Sequence, residues 1–227
     1  MDRYVLRVSE DRLGVGARYG RPLPPLNRVL YALQGELRVS SRGVESSVRA
    51  NGAWFGAADC LPTAGPTGVV VLRWELLRGA GEGGPDVIPD TASQALLQQP
   101  IELEPGAQYL MRCDRVDFDP GGVALPHRHQ GGGIRCLIAG ALELRVGDEP
   151  PRTIRPGQAW FESGRDPVYA AASPEIPTSF IRVSILPRAI RGERSIVYVD
   201  PEAAGRGRPR KYTIFVDEPI ELEAVTR

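Results

Sequence analysis

The chain repeats itself. RYVLRV at 3–8 is echoed by QYLMRC at 108–113, a shift of 105 residues. At the same shift Gly16 falls on Gly121 and Gly35 on Gly140. RANGAWF at 49–55 returns as RPGQAWF at 155–161, a shift of 106, and Leu72-Arg73 returns as Ile181-Arg182, a shift of 109. PIELE stands at 100–104 and again, verbatim, at 219–223, a shift of 119. The shift only grows, as insertions in a second copy require. The pattern predicts an internal duplication, with 1–104 and 105–227 as two copies of one unit. Each is long enough to bury a core of its own.

The repeated material is β in character. Short runs rich in Val, Ile, Leu and Tyr, such as RVLYAL, VVVLRWELL and SFIRVSIL, are separated by turns drawn from 26 Gly and 21 Pro. Many short strands at regular spacing predict an all-β barrel or sandwich. TASQALLQQ at 91–99 is the one stretch that reads as a short helix. The longest apparent loops, 78–90 and 201–211, take equivalent places before the two PIELE segments, and the Arg/Lys cluster of the second reads as a solvated surface.

Composition narrows the function. Apolar residues make up 42% and charged residues 25%, which suits a folded chain. Acidic and basic residues balance at 28 each, so neither nucleic acid nor a membrane surface is an expected partner. No apolar run approaches the roughly 18 residues of a spanning helix. The opening residues, MDRYVLRVSEDR, carry charges where an export signal needs an apolar stretch, so the expected place is the cytoplasm. Three cysteines, an odd number without CxxC spacing, agree with that compartment.

Only two histidines occur, His127 and His129, within PGGVALPHRHQGGGIRCLIAG at 120–140. On a strand, residues i and i+2 project to one face, so both imidazoles enter one space. Two imidazoles on one face are half of a typical metal site.

Here the chain resembles the cupin superfamily. The first cupin motif is Gly, five residues, HxH, three or four residues, Glu, six residues, Gly. Gly121, His127, His129 and Gly140 fit it, and RPGQAWFESG at 155–164 fits the start of the second motif. The resemblance covers both halves and implies a bicupin, two tandem jelly-roll β-barrels of the double-stranded β-helix type. Two departures stand out. The family's glutamate falls on Gly133, and its third histidine belongs near Pro167 or Val168, where none exists. In the first copy Pro22 and Pro24 replace the histidine pair, so that barrel is expected to be metal-free. In the second, Glu162, Asp166 or Tyr169 could supply a missing oxygen ligand. Two histidines and a carboxylate would suit one divalent transition metal: iron, manganese, nickel or zinc.

Other residues near the motif are open to two readings. Arg135 either clamps a substrate carboxylate or pairs internally with Glu162 or Asp166. Glu162 and Tyr169 are candidate substrate contacts as well. Gly131, Gly132 and Gly133 read as a rim of the barrel mouth, with space opened by the lost glutamate. Trp54 and Trp160 match across the repeat, which favours packing, and Cys136 reads as an inert thiol. The resemblance implies a metal-dependent enzyme acting on a small, acidic molecule by dioxygenase-, lyase- or isomerase-like chemistry. The alternative is a non-catalytic ligand-binding bicupin with a degenerate site. Edge-strand pairing in the family implies a homodimer.

Overall fold

The fold was taken from a computed structural model, which describes residues 4–79, 91–202 and 210–222. Among them every regular element is a strand, apart from 3-10 turns at Arg188–Ile190 and at 201–202, and no helix is long and apolar enough to cross a membrane. The chain divides into two compact units, Met1–Tyr109 with Glu218–Arg227, and Leu110–Asp217.

The first unit contains β1 (Tyr4–Leu13), β2 (Arg28–Ser41), β3 (Val44–Arg49), β4 (Gly52–Gly56), β5 (Leu61–Arg78) and β6 (Thr91–Ile101). They form one sheet in the order β3-β2-β5-β1-β6, with β4 on β2. β2 changes register against β5 on either side of Gly35, so the strand bends there. Leu30 and Ala32 before the bend and Leu37 and Val39 after it belong to one core cluster. Gly35 has φ +77°, and a Cβ would collide with the Gly68 carbonyl oxygen, so only glycine fits the bend.

The same face of this sheet carries a buried ionic network. Glu75 accepts from Arg7 Nη2 at 2.9 Å and from Arg28 Nη2 at 2.7 Å, and also touches Arg73. Arg73 Nε donates to Asp11 at 2.7 Å, and Asp11 also accepts from the Tyr19 hydroxyl at 2.6 Å. Burial opposes the Glu75 charge, but Arg73 and Arg28 outweigh it and hold the carboxyl low.

The second unit contains β7 (Tyr109–Phe118), β8 (Val123–His129), β9 (Gly133–Ala139), β10 (Leu142–Val146), β11 (Arg152–Ile154), β12 (Ala159–Glu162), β13 (Val168–Ala172), β14 (Thr178–Pro187), β15 (Ile196–Tyr198) and β16 (Arg210–Ile220). Two five-stranded sheets result, β11-β10-β13-β8-β15 and β12-β9-β14-β7-β16. Their inner faces share one core, with Leu142, Leu144 and Val168 from the first and Phe118, Leu137, Trp160 and Phe180 from the second. Gly140, between β9 and β10, has φ +78°, and a Cβ there would collide with Thr178 and the Pro177 carbonyl.

Strand bounds recur between the units. Tyr4–Leu13 is followed 105 residues later by Tyr109–Phe118, and Thr91–Ile101 is followed 119 residues later by Arg210–Ile220. Two expectations need correction. Among the described residues none of the three sheets closes on itself, so the expected pair of jelly-roll barrels gives way to a bent sheet and an open two-sheet sandwich. The helix expected at 91–99 is strand β6, because pairing along β1 from Thr91 to Ile101 overrides a weak local preference. Most of the loops at 78–90 and 201–211 lies outside the described residues. No cysteine is in a disulfide and all three are buried, Cys60 in the first unit and Cys113 and Cys136 in the second. Burial pushes the Cys60 and Cys113 thiols up.

Candidate metal centre

β8 positions both histidines with the help of a bulge. Val168 of β13 pairs with His127 and Ala170 pairs with Ala124, so three steps along β8 span two along β13. The extra residue lies at Leu125-Pro126, and Pro126 has no N–H to lose from the ladder. The bulge leaves Ala124 and His127 on the inner face together, and both line the cavity. It also brings the Leu125 carbonyl within 2.8 Å of His127 Nδ1. That bond assigns the proton to Nδ1 and leaves the Nε2 lone pair free.

His129 follows two residues on, its ring edge-on to His127 with centroids 4.9 Å apart. Its Nδ1 lies 3.5 Å from Ser195 Oγ, and its Nε2 lies 3.3 Å from Glu162 Oε2. Glu162 ends β12 and faces the same space as Trp160, two residues back. The Trp160 indole donates to Glu162 Oε1 at 2.8 Å. Trp160 therefore orients the carboxylate as well as packing edge-on against Phe180 at 5.2 Å. Arg135, on β9, pairs across its ladders with Trp160 and Arg182. Its Nη2 stands 2.7 Å from Glu162 Oε2, while Nη1 donates to the Gly133 carbonyl at 2.6 Å. The close approach to Oε2 is ionic. Neither Nη2 nor Oε2 makes a well-aligned hydrogen bond, and both are buried.

Burial decides the charge states of the imidazoles. It pushes His129 down to about 3, against the pull of Glu162, and it lowers His127 as well. Both rings are neutral at neutral pH. Burial opposes ionisation of Glu162, but Arg135 outweighs it with help from the histidines and holds the carboxyl below its usual range. Burial brings Arg135 down to about 10, which still leaves it a cation.

These groups surround a cavity of about 20 Å³, room for an ion or one or two waters. Arg182 and Tyr212 complete its polar side, and aliphatic and aromatic side chains form the rest. Asp114 grips Arg182 through both oxygens, at 3.0 and 2.5 Å. Arg210 lies 5.8 Å from the ring centres of both Tyr198 and Tyr212.

Of the residues singled out in the sequence, the structure brings together His127, His129, Glu162 and Arg135. Tyr169 lies on the opposite face of β13 from Val168 and Ala170, under Arg145 at 6.0 Å, and does not line the cavity. Asp166 accepts from Ser163 Oγ at 2.8 Å, in an exposed turn. No space opens at Gly133: a Cβ there would collide with Ser184 and the Val183 carbonyl. Cys136 sits between two inward residues of β9 and faces away. Sequence reasoning did not single out Arg182, Asp114 or Tyr212. The only available signal was the match of Arg182 to Arg73, which reads equally as core.

The donor set fits a divalent transition metal. One ligand atom from each of His127, His129 and Glu162 lies within 4.8 Å of the others. Atoms bound to one ion at about 2.1 Å stand roughly 3–4 Å apart, so a small side-chain adjustment suffices. Two neutral imidazoles and an ionised carboxylate are the forms that metal binding needs. In the first unit, Gly56 takes the place of Glu162 at a shift of 106. A Cβ on Gly56 would collide with the Trp54 ring, so a side chain there would have to displace that ring.

No family model and no curated protein matches the sequence. Solved structures do. AerE from Microcystis aeruginosa is 16% identical, with a TM-score of 0.57 over 81% of this chain and 88% of its own. A variant of oxalate decarboxylase from Bacillus subtilis is 16% identical, with a TM-score of 0.61 over 88% of this chain and 73% of its own. Oxalate decarboxylase from the same organism at pH 4.6 is 14% identical, with a TM-score of 0.60 over 86% and 70%. The likeness is one of fold, and it supports a cupin fold.

Proposed function

We propose that the chain is a cupin-type small-molecule enzyme working in the second unit, with one divalent transition metal held by His127, His129 and Glu162. The observation that carries this reading is the convergence of the three donors within 4.8 Å around a carboxylate oxygen that lacks a well-aligned hydrogen bond. The bound ion, whether iron, manganese, nickel or zinc, would act as a Lewis acid or oxygen activator. The chain's own residues do the rest. Leu125 fixes the His127 tautomer, Trp160 orients Glu162, and the apolar walls exclude water. Arg182, braced by Asp114, borders the cavity and would meet a small acidic substrate once the cavity, about 20 Å³ here, widens to admit one. The chemistry is of the dioxygenase, lyase or isomerase type.

The two units are read as copies of one cupin unit, the first a scaffold. The recurring strand bounds and the buried ionic network that shares the first unit's inner face with an apolar core support this. The working form is a cytoplasmic homodimer, with neither nucleic acid nor membrane as a partner.

A second reading is a metal-free binding pocket. Arg135 favours it, because its guanidinium already neutralises Glu162. Elemental analysis of untagged protein, beside the His127→Ala/His129→Ala double variant, separates the two. About one equivalent of metal in the wild type, lost in the variant, is expected. No metal after reconstitution with iron, manganese, nickel and zinc overturns the metalloenzyme reading.

A further inference from the structure

We propose that Arg135 is a built-in rival of the metal ion: its guanidinium holds Glu162 in the metal-free protein and thereby limits how tightly an ion is bound. The inference rests on the reading that His127, His129 and Glu162 form the metal site. Glu162 has two oxygens, and Trp160 Nε1 occupies Oε1 at 2.8 Å. Oε2 is the oxygen that faces the imidazoles, 3.3 Å from His129 Nε2, and Arg135 Nη2 stands 2.7 Å from it. Both side chains are almost wholly buried, Arg135 at 1% and Glu162 at 4% exposure, so solvent screens little between them.

Arg135 has no easy way out. Nη1 is anchored on the Gly133 carbonyl at 2.6 Å, and its backbone is locked between β12 and β14. Nor do the described residues lining the cavity include a spare anion. Asp114, the carboxylate on Arg182, is held by both its oxygens. Arg135 and Arg182 balance Glu162 and Asp114, the two histidines are neutral, and Arg210 adds a further positive charge beside Tyr212. The charge of the site is thus complete before an ion arrives. A divalent cation reaching Oε2 meets a guanidinium on the same oxygen, in surroundings where like charges repel more strongly than in water.

The test is zinc affinity of the full chain stripped with a chelator, read by competition with a chromophoric chelator. Arg135→Gln is expected to bind zinc at least tenfold more tightly than the wild type, a gain of about 1.4 kcal/mol. Arg135→Gln/Glu162→Gln loses that gain. If circular dichroism shows Arg135→Gln to be unfolded, Arg135→Lys replaces it. A lysine gives up the two-point hold on Gly133 and Glu162, and the expected gain falls to about threefold. Equal or weaker binding by the folded variant, with the wild type binding, overturns this inference alone. Binding by Arg135→Gln without binding by the wild type supports it and removes the metal-loaded wild-type enzyme. Absence of binding in every form overturns both.

Discussion

His129 is neutral in the fold because burial outweighs its carboxylate neighbour, and that fixes a pH dependence. In an unfolded chain both histidines titrate near ~6.5. His129 falls to about 3 in the folded state and His127 is also lowered, so below ~6.5 the unfolded chain binds protons that the fold refuses. Metal-free stability is therefore full above pH ~6.5 and declines as the pH falls, by up to about 1.4 kcal/mol per pH unit for each histidine. Urea denaturation of chelator-treated protein at several pH values should show that decline, and His129→Gln should flatten it. An unchanged slope in the variant contradicts the assignment. Trp160→Phe removes the donor to Glu162 Oε1 and leaves a buried carboxylate oxygen unpaired, at an expected loss of about 1–3 kcal/mol in the same assay. At this scale the sequence was half legible. The spacing of His127 and His129 announced the pair, and Glu162 stood among three candidate oxygen donors. What separates Glu162 from Asp166 and Tyr169 is the direction each side chain takes from β12, the turn after it and β13. Direction depends on pairing partners far along the chain.

Strands were legible wherever apolar residues alternate or run together, as in β2, β5 and β14. β6 was not, because the Ala, Leu and Gln of TASQALLQQ favour a helix and the segment owes its extended form to the edge of β1. The bulge in β8 was hidden too. Pro126 hints at it, but the extra step shows only when His127 is set against Val168 and Ala124 against Ala170. Gly35 and Gly140, paired by the repeat, turn out to be bends where a Cβ has no room. Gly140→Ala, which must take φ +78° and push against Thr178 and Pro177, is expected to cost about 3 kcal/mol or more in chemical denaturation. A loss below about 1 kcal/mol would show that the bend relaxes freely.

On the scale of the whole molecule, bound metal should appear as stability. Zinc at a hundredfold excess over its Kd is expected to add about 2.7 kcal/mol, and the His127→Ala/His129→Ala variant to gain nothing. The proposed homodimer predicts twice the chain mass in sedimentation equilibrium, and a monomer at micromolar concentration removes it. The three cysteines also make the native chain its own clock. Cys60 lies in one unit and Cys113 and Cys136 in the other, none in a disulfide and all sealed from solvent. An alkylating reagent can reach a sealed thiol only while its surroundings are open. Timed alkylation followed by peptide mass spectrometry therefore reads how often each half of the chain breathes, with no introduced probe. Cys60 modified ahead of Cys113 and Cys136 marks the first half as the looser one, and the reverse order marks the half that bears the histidines.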